Sequence, residues 1–236
     1  MKNVQKQFLE QGFAVVNAVF TSSEIENMLQ IIAALDTEKE TFRKTNDLFA
    51  IRQFLKEVPD IQQFVFNKNV VKLIEELFGE GFFATKSIYF DKPEQSNWFV
   101  AYHQDLTISV NKRMELEGFS PWTVKQNQFG VQAPLALLEN NFTIRIHLDE
   151  TNLENGALKV IPKSHLRGVC RPETINKTEE REEICEVKKG GIMLMRPLLL
   201  HASGRTTNHQ KRRVIHIEFS SQQLPEDLEW SEKIVF

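Results

Sequence analysis

His103 and Asp105 stand two residues apart in the segment Ala101-Tyr102-His103-Gln104-Asp105-Leu106. On a β-strand that spacing puts both side chains on one face. An imidazole nitrogen and a carboxylate oxygen can then reach the same metal ion. A His-X-Asp pair alone is common and carries little weight. A second imidazole, His201, follows the apolar run that starts after Gly190-Gly191, and Leu199, His201 and Ser203 share a face if that strand continues so far. Two histidines and one carboxylate make the facial set of non-haem Fe(II) sites, with three positions left open. Open positions let dioxygen and a co-substrate reach the ion.

A cation completes the set. Lys211-Arg212-Arg213 leads into Val214-Ile215-His216-Ile217-Glu218-Phe219. Strand alternation puts Arg213, Ile215, Ile217 and Phe219 on one face and Arg212, Val214, His216 and Glu218 on the other. The first face is apolar and belongs against a core. The second lines a wet cavity or faces solvent. Phe142 to Leu148 divides in the same way, with Thr143, Arg145 and His147 opposite Ile144, Ile146 and Leu148. Two such strands fit a barrel that holds a site inside, and each also fits a half-exposed strand facing bulk water. An arginine in a cavity needs an anion, and its planar fork matches a carboxylate. Arg212 therefore implies a carboxylate-bearing ligand, and a dicarboxylate could reach the iron with its other end.

The elements that must position these groups are legible in outline. Gln5–Glu10 reads as a short helix closed by Gly12, and Phe13–Phe20 as a β-rich run. Thr21-Ser22-Ser23-Glu24 is a capping box. The helix it opens places Ile25, Met28, Leu29, Ile32 and Leu35 on one face. Phe49–Val58 and Asn69–Phe78 read as further helices, the second stopped by Gly79. From Gly81 onward the pattern is strand-like: Phe82–Phe90, Trp98–Ser109, Phe142–Leu148, Ala157–Ile161, Ile192–Leu200 and Val214–Ser220, with Asn155-Gly156 as a turn. Lys112–Pro134 reads as a long irregular segment of the kind that forms lids, and the acid-rich Glu179–Glu186 as a solvated loop. Helices first and strands afterwards give an α+β chain with a mainly β core, a barrel or sandwich with supporting N-terminal helices. No linker or repeat divides residues 1–236, which read as one domain.

Composition narrows the function. The 236 residues are 41% hydrophobic, enough to build a core, and include 18 Phe against 2 Tyr and 3 Trp. Phenylalanine has no polar handle and belongs in cores or apolar cavity walls. A net charge of −3 offers no electrostatic footprint for nucleic acid. The longest apolar stretch, near Ile192–Leu200, is broken by Arg196 and Pro197, so no membrane span is expected. The first residues lack the apolar run of a secretory signal. Cys170 and Cys185 have neither metal-ligand spacing nor a disulfide framework, which fits a reducing, cytoplasmic setting.

Taken together and in order, the motifs resemble those of the phytanoyl-CoA dioxygenase family of Fe(II)/2-oxoglutarate oxygenases. The likeness runs through FLEQGFAVVNAVFTSSEIENML, FDKP, YHQDL, HLDETNLENGALKVIPKSH and GGIMLMRPLLLHASG, and ends with an arginine eleven residues after the distal histidine. The resemblance implies a double-stranded β-helix, the jelly-roll or cupin-like barrel. It implies Fe(II) on His103, Asp105 and His201, with 2-oxoglutarate and dioxygen as co-substrates. Arg212 would take the distal carboxylate of 2-oxoglutarate with help from the Ser203 hydroxyl. Arg213 is the rival, on the apolar face. Arg52, in FAIRQFL, is the candidate for a basic residue reaching the co-substrate from the helical part, and Arg145 stands where some members carry an aromatic residue. The reaction implied is hydroxylation of a small-molecule substrate with release of succinate and CO2. Related halogenases leave the carboxylate position empty, so Asp105 argues against halogenation.

The remaining polar residues have plainer readings. His165 fixes a turn, His209 lies in a solvated loop, and Lys86 and Lys92 flank a strand, as surface lysines or as groups that steer an anionic substrate. His147 and His216 are cavity residues without ligand spacing; Trp98 and Trp122 wall the site or pack in the core. Two other functions fit the same residues: a cupin-type barrel with a different metal-dependent activity, and a non-catalytic protein that binds metal or 2-oxoglutarate.

Overall fold

The computed structural model describes residues 1–36, 42–44, 49–94, 98–125, 128–171 and 180–236. Among them the strands form three antiparallel sheets. The major sheet takes β1 (Phe13–Val16), β2 (Phe42–Lys44), β3 (Phe49–Arg52), β4 (Phe83–Lys92), β9 (Phe142–His147), β12 (Ile192–Met195) and β14 (Arg212–Ser220), in the spatial order β1-β12-β9-β14-β4-β3-β2. The minor sheet takes β5 (Val100–His103), β10 (Leu158–Val160), β11 (Glu183–Cys185) and β13 (His201–Ser203), in the order β11-β10-β13-β5. A third sheet joins β6 (Thr107–Val110) to the hairpin of β7 (Trp122–Lys125) and β8 (Gln128–Gln132). The helices are α1 (Lys2–Gln11), α2 (Ser22–Ala33), α3 (Phe54–Glu57), α4 (Gln62–Val65), α5 (Lys68–Phe78) and α6 (Leu135–Asn140). The architecture is the α+β jelly-roll expected, built as two facing leaves. The major and minor sheets share no ladder among the described residues, so the leaves do not close into one barrel.

Alternation on β9 and β14 sets the layers. Ile144, Ile146, Ile215, Ile217 and Phe219 bury one face of the major sheet against Phe8 of α1, Ile25 and Met28 of α2 and Val70, Ile74 and Leu77 of α5. Much of the phenylalanine excess is spent here. Phe142 stacks between Phe78 and Phe219, with ring centroids 3.7 and 4.9 Å away. Each such ring contributes roughly 1.5–3 kcal/mol by leaving water. The helix ends follow their signals. Thr21 and Glu24 close a reciprocal capping box, and Gly12 ends α1 in the left-handed region at φ 86. A Cβ at Gly12 would lie 2.4 Å from His165 Nδ1. His165 Nε2 bonds the Leu9 carbonyl, so this histidine locks α1 onto the chain near β10.

Several expectations are corrected. Phe49–Val58 is not one helix. Its first half is β3, paired with β4, and Gln53 at φ 51 turns the chain into the short α3. Trp98–Ser109 is two strands in different sheets, parted at Gln104-Asp105-Leu106. Lys112–Pro134 is not wholly irregular, because β7 and β8 pair within it and β8 pairs with β6. Ile192–Leu200 ends as a strand at Met195, and the chain crosses at Arg196–Leu200 to the minor sheet. His201 therefore opens β13 and does not end β12. Glu183–Cys185 in the acidic run is β11, with Glu182 on Lys159 and Tyr102; Glu179 lies outside the described residues. Lys86 and Lys92 are not surface residues. Lys86 pairs with Glu218, and Lys92 is fully buried with its Nζ 2.6 Å from the Gly204 carbonyl. Among the described residues no helix is long and apolar enough to cross a membrane.

One buried acid makes the fold sensitive to pH. Burial pushes the Glu232 carboxyl up to about 7, against hydrogen bonds from the Ser87 hydroxyl and from the Ser87 and Lys56 amides. Its folded value lies above the 4.5 of a free carboxyl. Its contribution to stability is therefore full below pH 4.5 and lost as pH rises through 7. Glu232→Gln should flatten that loss, which is worth a few kcal/mol at most, at about 1.4 kcal/mol per unit. Thermal midpoints measured from pH 4.5 to 8 should fall less in the variant than in the native chain. Parallel slopes would refute the assignment.

Candidate functional site

Strands β5 and β13 pair with His103 directly opposite His201. Their ring centroids are 4.2 Å apart. Each ring bonds through Nδ1 to the carbonyl two residues back, His103 to Ala101 and His201 to Leu199, both at 2.9 Å. A carbonyl only accepts, so Nδ1 carries the hydrogen and the Nε2 lone pair is left to point at Asp105. Asp105 Oδ1 stands 3.8 Å from His103 Nε2, and Oδ2 stands 3.8 Å from His201 Nε2. These gaps are too long for hydrogen bonds, and Oδ2 is buried with no partner among the described residues. The three side chains could hold one metal ion, their ligand atoms lying within 4.8 Å of one another. Two neutral imidazoles, each donating its other nitrogen to a carbonyl, and one carboxylate are a donor set suited to iron.

The electrostatics agree with that donor set. Burial pulls His201 down to about 4, against the pull of Asp105, so its ring is neutral near pH 7. Burial would raise Asp105, but the basic groups around it outweigh burial and hold the carboxyl well below its usual range. The backbone between the ligands is clamped from behind. Gln104 Nε2 donates to Leu198 O at 2.6 Å and Gly168 O at 2.9 Å, while its Oε1 accepts from Cys170 N at 2.7 Å. Asp105 N donates to Pro197 O at 2.8 Å. Gln104 escaped the sequence reading because its three partners lie 64 to 94 residues away.

The triad opens on a cavity of about 350 Å³ whose lining includes Arg52, Lys86, Arg145, Ser203, Arg212 and Glu218. The leaves face each other across it, since the triad stands on or beside the minor sheet and most of the charged wall on the major one. Arg212 is buried, its Nη1 donating to Gly156 O at 2.6 Å, while its Nε and the Ser203 hydroxyl have no partner among the described residues. Burial and the neighbouring Arg145 bring Arg212 down to about 9. Arg213 turns the other way into a two-bond pair with Asp149, at 2.8 and 2.7 Å. Arg145 Nη1 bonds His216 Nδ1 at 3.0 Å, and His216 Nε2 lies 3.3 Å from Glu218 Oε1. Lys86 donates to the same Glu218 oxygen at 2.7 Å.

All seven site residues named from sequence thus border one cavity. His216 borders it too and, with Glu218 and Asp105, forms a second cluster of possible metal ligands. The strand alternation had put both on the polar face without giving either a role. His147 does not border it; its Nδ1 bonds Thr151 at 2.7 Å. Trp98 lines the cavity, whereas Trp122 packs in a separate apolar cluster with Phe119 and Val131. Cys170 and Cys185 are free thiols.

A sequence profile of the family described as Phytanoyl-CoA dioxygenase (PhyH) matches residues 8–214. No curated protein sequence matches the chain. Several solved structures share its fold. SnoK, a non-haem α-ketoglutarate-dependent carbocyclase of nogalamycin biosynthesis, aligns with TM-score 0.71 and 15% identity over 93% of this chain and 83% of that one. EctD from S. alaskensis, solved with 2-oxoglutarate and 5-hydroxyectoine, gives 0.71 and 16% over 93% and 76%. AviO1 from Streptomyces viridochromogenes Tue57 gives 0.67 and 16% over 95% and 96%.

Gly156 ties this site to the backbone. It sits at φ +86, and a Cβ there would lie 2.8 Å from Gly204 O and 2.9 Å from Lys92 Nζ. Gly156→Ala should therefore cost about 2–4 kcal/mol in denaturant unfolding, from left-handed backbone strain and the close approach together. A cost of about 1 kcal/mol or less, which left-handed strain alone explains, would show that the close approach to Lys92 and Gly204 is immaterial.

Proposed function

The chain belongs to the phytanoyl-CoA dioxygenase family, and from that premise we propose that it is an Fe(II)- and 2-oxoglutarate-dependent oxygenase that hydroxylates a small molecule. The observation that carries this reading is the convergence of His103, Asp105 and His201 on one point of a cavity that also holds a buried, incompletely bonded Arg212. His103, Asp105 and His201 would hold the iron. Arg212 would take the distal carboxylate of 2-oxoglutarate through its fork, with the Ser203 hydroxyl donating beside it. When bound, iron with 2-oxoglutarate and dioxygen supplies an oxidant for a substrate C–H bond, and succinate and CO2 are released.

The protein's own work is placement. The Nδ1 bonds of His103 and His201 leave both Nε2 lone pairs free, so these two atoms would hold the ion with Asp105. Asp105 adds a negative charge that needs no proton removed near neutral pH. Arg212 is anchored by Gly156 O before any ligand arrives, so little ordering remains to oppose binding. Ile88, Phe90, Trp98 and Val100 line the same cavity and limit water beside the ion.

Succinate formation should require Fe(II), 2-oxoglutarate and a substrate together. His103→Ala and Asp105→Ala should each weaken Fe(II) binding at least 100-fold in an anaerobic titration, because one of three protein ligands is gone. Arg212→Met should leave Fe(II) binding intact and weaken 2-oxoglutarate by about 2–3 kcal/mol, roughly 30- to 150-fold. Unchanged 2-oxoglutarate affinity in Arg212→Met would sink the reading in favour of a barrel with another metal-dependent activity.

A further inference from the structure

The charges around the cavity do not cancel. Its lining carries Arg52, Lys86, Lys125, Arg145 and Arg212 against Asp105 and Glu218, in a chain whose net charge is −3. Lys86 and Glu218 neutralise each other at 2.7 Å. On the reading above, a divalent ion and Arg212 bring three positive charges, which Asp105 and the 2-oxoglutarate dianion match. The charges of Lys125 and Arg145 are left over.

Arg145 makes the case most clearly. It is 7% exposed, and among the described residues its Nη1 bonds to the His216 ring at 3.0 Å. An arginine only donates, so His216 Nδ1 accepts; Nε2 then holds the ring hydrogen and donates to Glu218 at 3.3 Å. That tautomer is uncharged and brings Arg145 no counter-ion. The Arg145 Nε is buried without a partner among the described residues. A guanidinium held out of water beside an uncharged partner is costly, and its fork suits a carboxylate or a phosphate. Lys125, on β7, is exposed where it meets the cavity and adds to an attractive field for anions. Phe90 and Trp98 line the same space with aromatic surface.

We propose that the primary substrate is an organic anion, a carboxylate or a phosphate ester, whose charged end is received by Arg145 with Lys125 beside it. This deepens the oxygenase reading and rests on it. Arg145 then serves the substrate, leaving the co-substrate to Arg212 and Ser203.

The test is calorimetric titration of the anaerobic protein, loaded with Fe(II) and 2-oxoglutarate, with four probes of similar size: phenylacetate, phenyl phosphate, benzyl alcohol and benzylamine. At least one anion should bind about ten-fold or more tightly than the alcohol or the amine. Whether phenylacetate or phenyl phosphate is preferred tells the carboxylate source from the phosphate. Arg145→Gln should weaken the preferred anion about ten-fold. Lys125→Gln, at an exposed position that does not endanger the fold, should weaken it about three-fold and lower its salt dependence. The 2-oxoglutarate affinity of both variants should stay within about two-fold of the native protein. The proposal is overturned if neither anion binds, if the alcohol or amine binds as well, or if Arg145→Gln leaves anion binding unchanged. It is also overturned if Arg145→Gln loses 2-oxoglutarate affinity, which would assign this arginine to the co-substrate. Failure of the native protein to bind Fe(II) or 2-oxoglutarate at all is read in the loading step, and it strikes the oxygenase reading first.

Discussion

His201 faces His103 because β13 and β5 are paired in one register, and each imidazole is turned by a bond from Nδ1 to a carbonyl two residues back. A one-residue slip in that register would send one ring to the other face of the minor sheet. Much of the surrounding structure serves to prevent it. Gln104 ties the loop after β5 to Leu198, Gly168 and Cys170, and Asp105 is tied to Pro197 through its amide. Ser164 accepts from the Leu200 amide just before β13. These bonds lie outside the cavity and let the ligand atoms stand apart from one another, with no hydrogen bond among them.

The major sheet solves a different problem. Its strands β9 and β14 bury charged and imidazole groups on one face and a continuous apolar layer on the other. The apolar layer, packed against α1, α2 and α5, supplies stability that the charged face takes away. Without it, Arg145, His216, Glu218 and Lys86 could not be kept largely out of water in so small a space. The helices are thus part of the site although they contribute no ligand to it.

What could be read from the residues was what depends on short spacing. The Thr21–Glu24 capping box, the Gly12 and Gly79 helix ends, and the alternation of β9 and β14 are local patterns, and the structure reproduces each of them. Alternation also parted Arg212 from Arg213, which face the cavity and Asp149 respectively. What stayed hidden depends on partners distant in sequence. An apolar run such as Ile192–Leu200 carries no local mark of where the chain leaves one sheet for another. Lys92 and Lys86 look like surface residues because their partners, Gly204 and Glu218, lie 112 and 132 residues away. The hairpin of β7 and β8 was masked by the glycines and prolines around it, although Trp122, Val124, Phe129 and Val131 are strand formers.

The position of β5 in its sheet gives the ligand set an asymmetry. Among the described residues the order β11-β10-β13-β5 places β13 between two neighbours and leaves β5 with one. The His201 side chain is 5% exposed and that of His103 is 40%. Border strands fray before central ones. Of the two imidazoles, His201 is enclosed within the sheet and His103 stands at its margin, so the ligand set meets solvent on the His103 side.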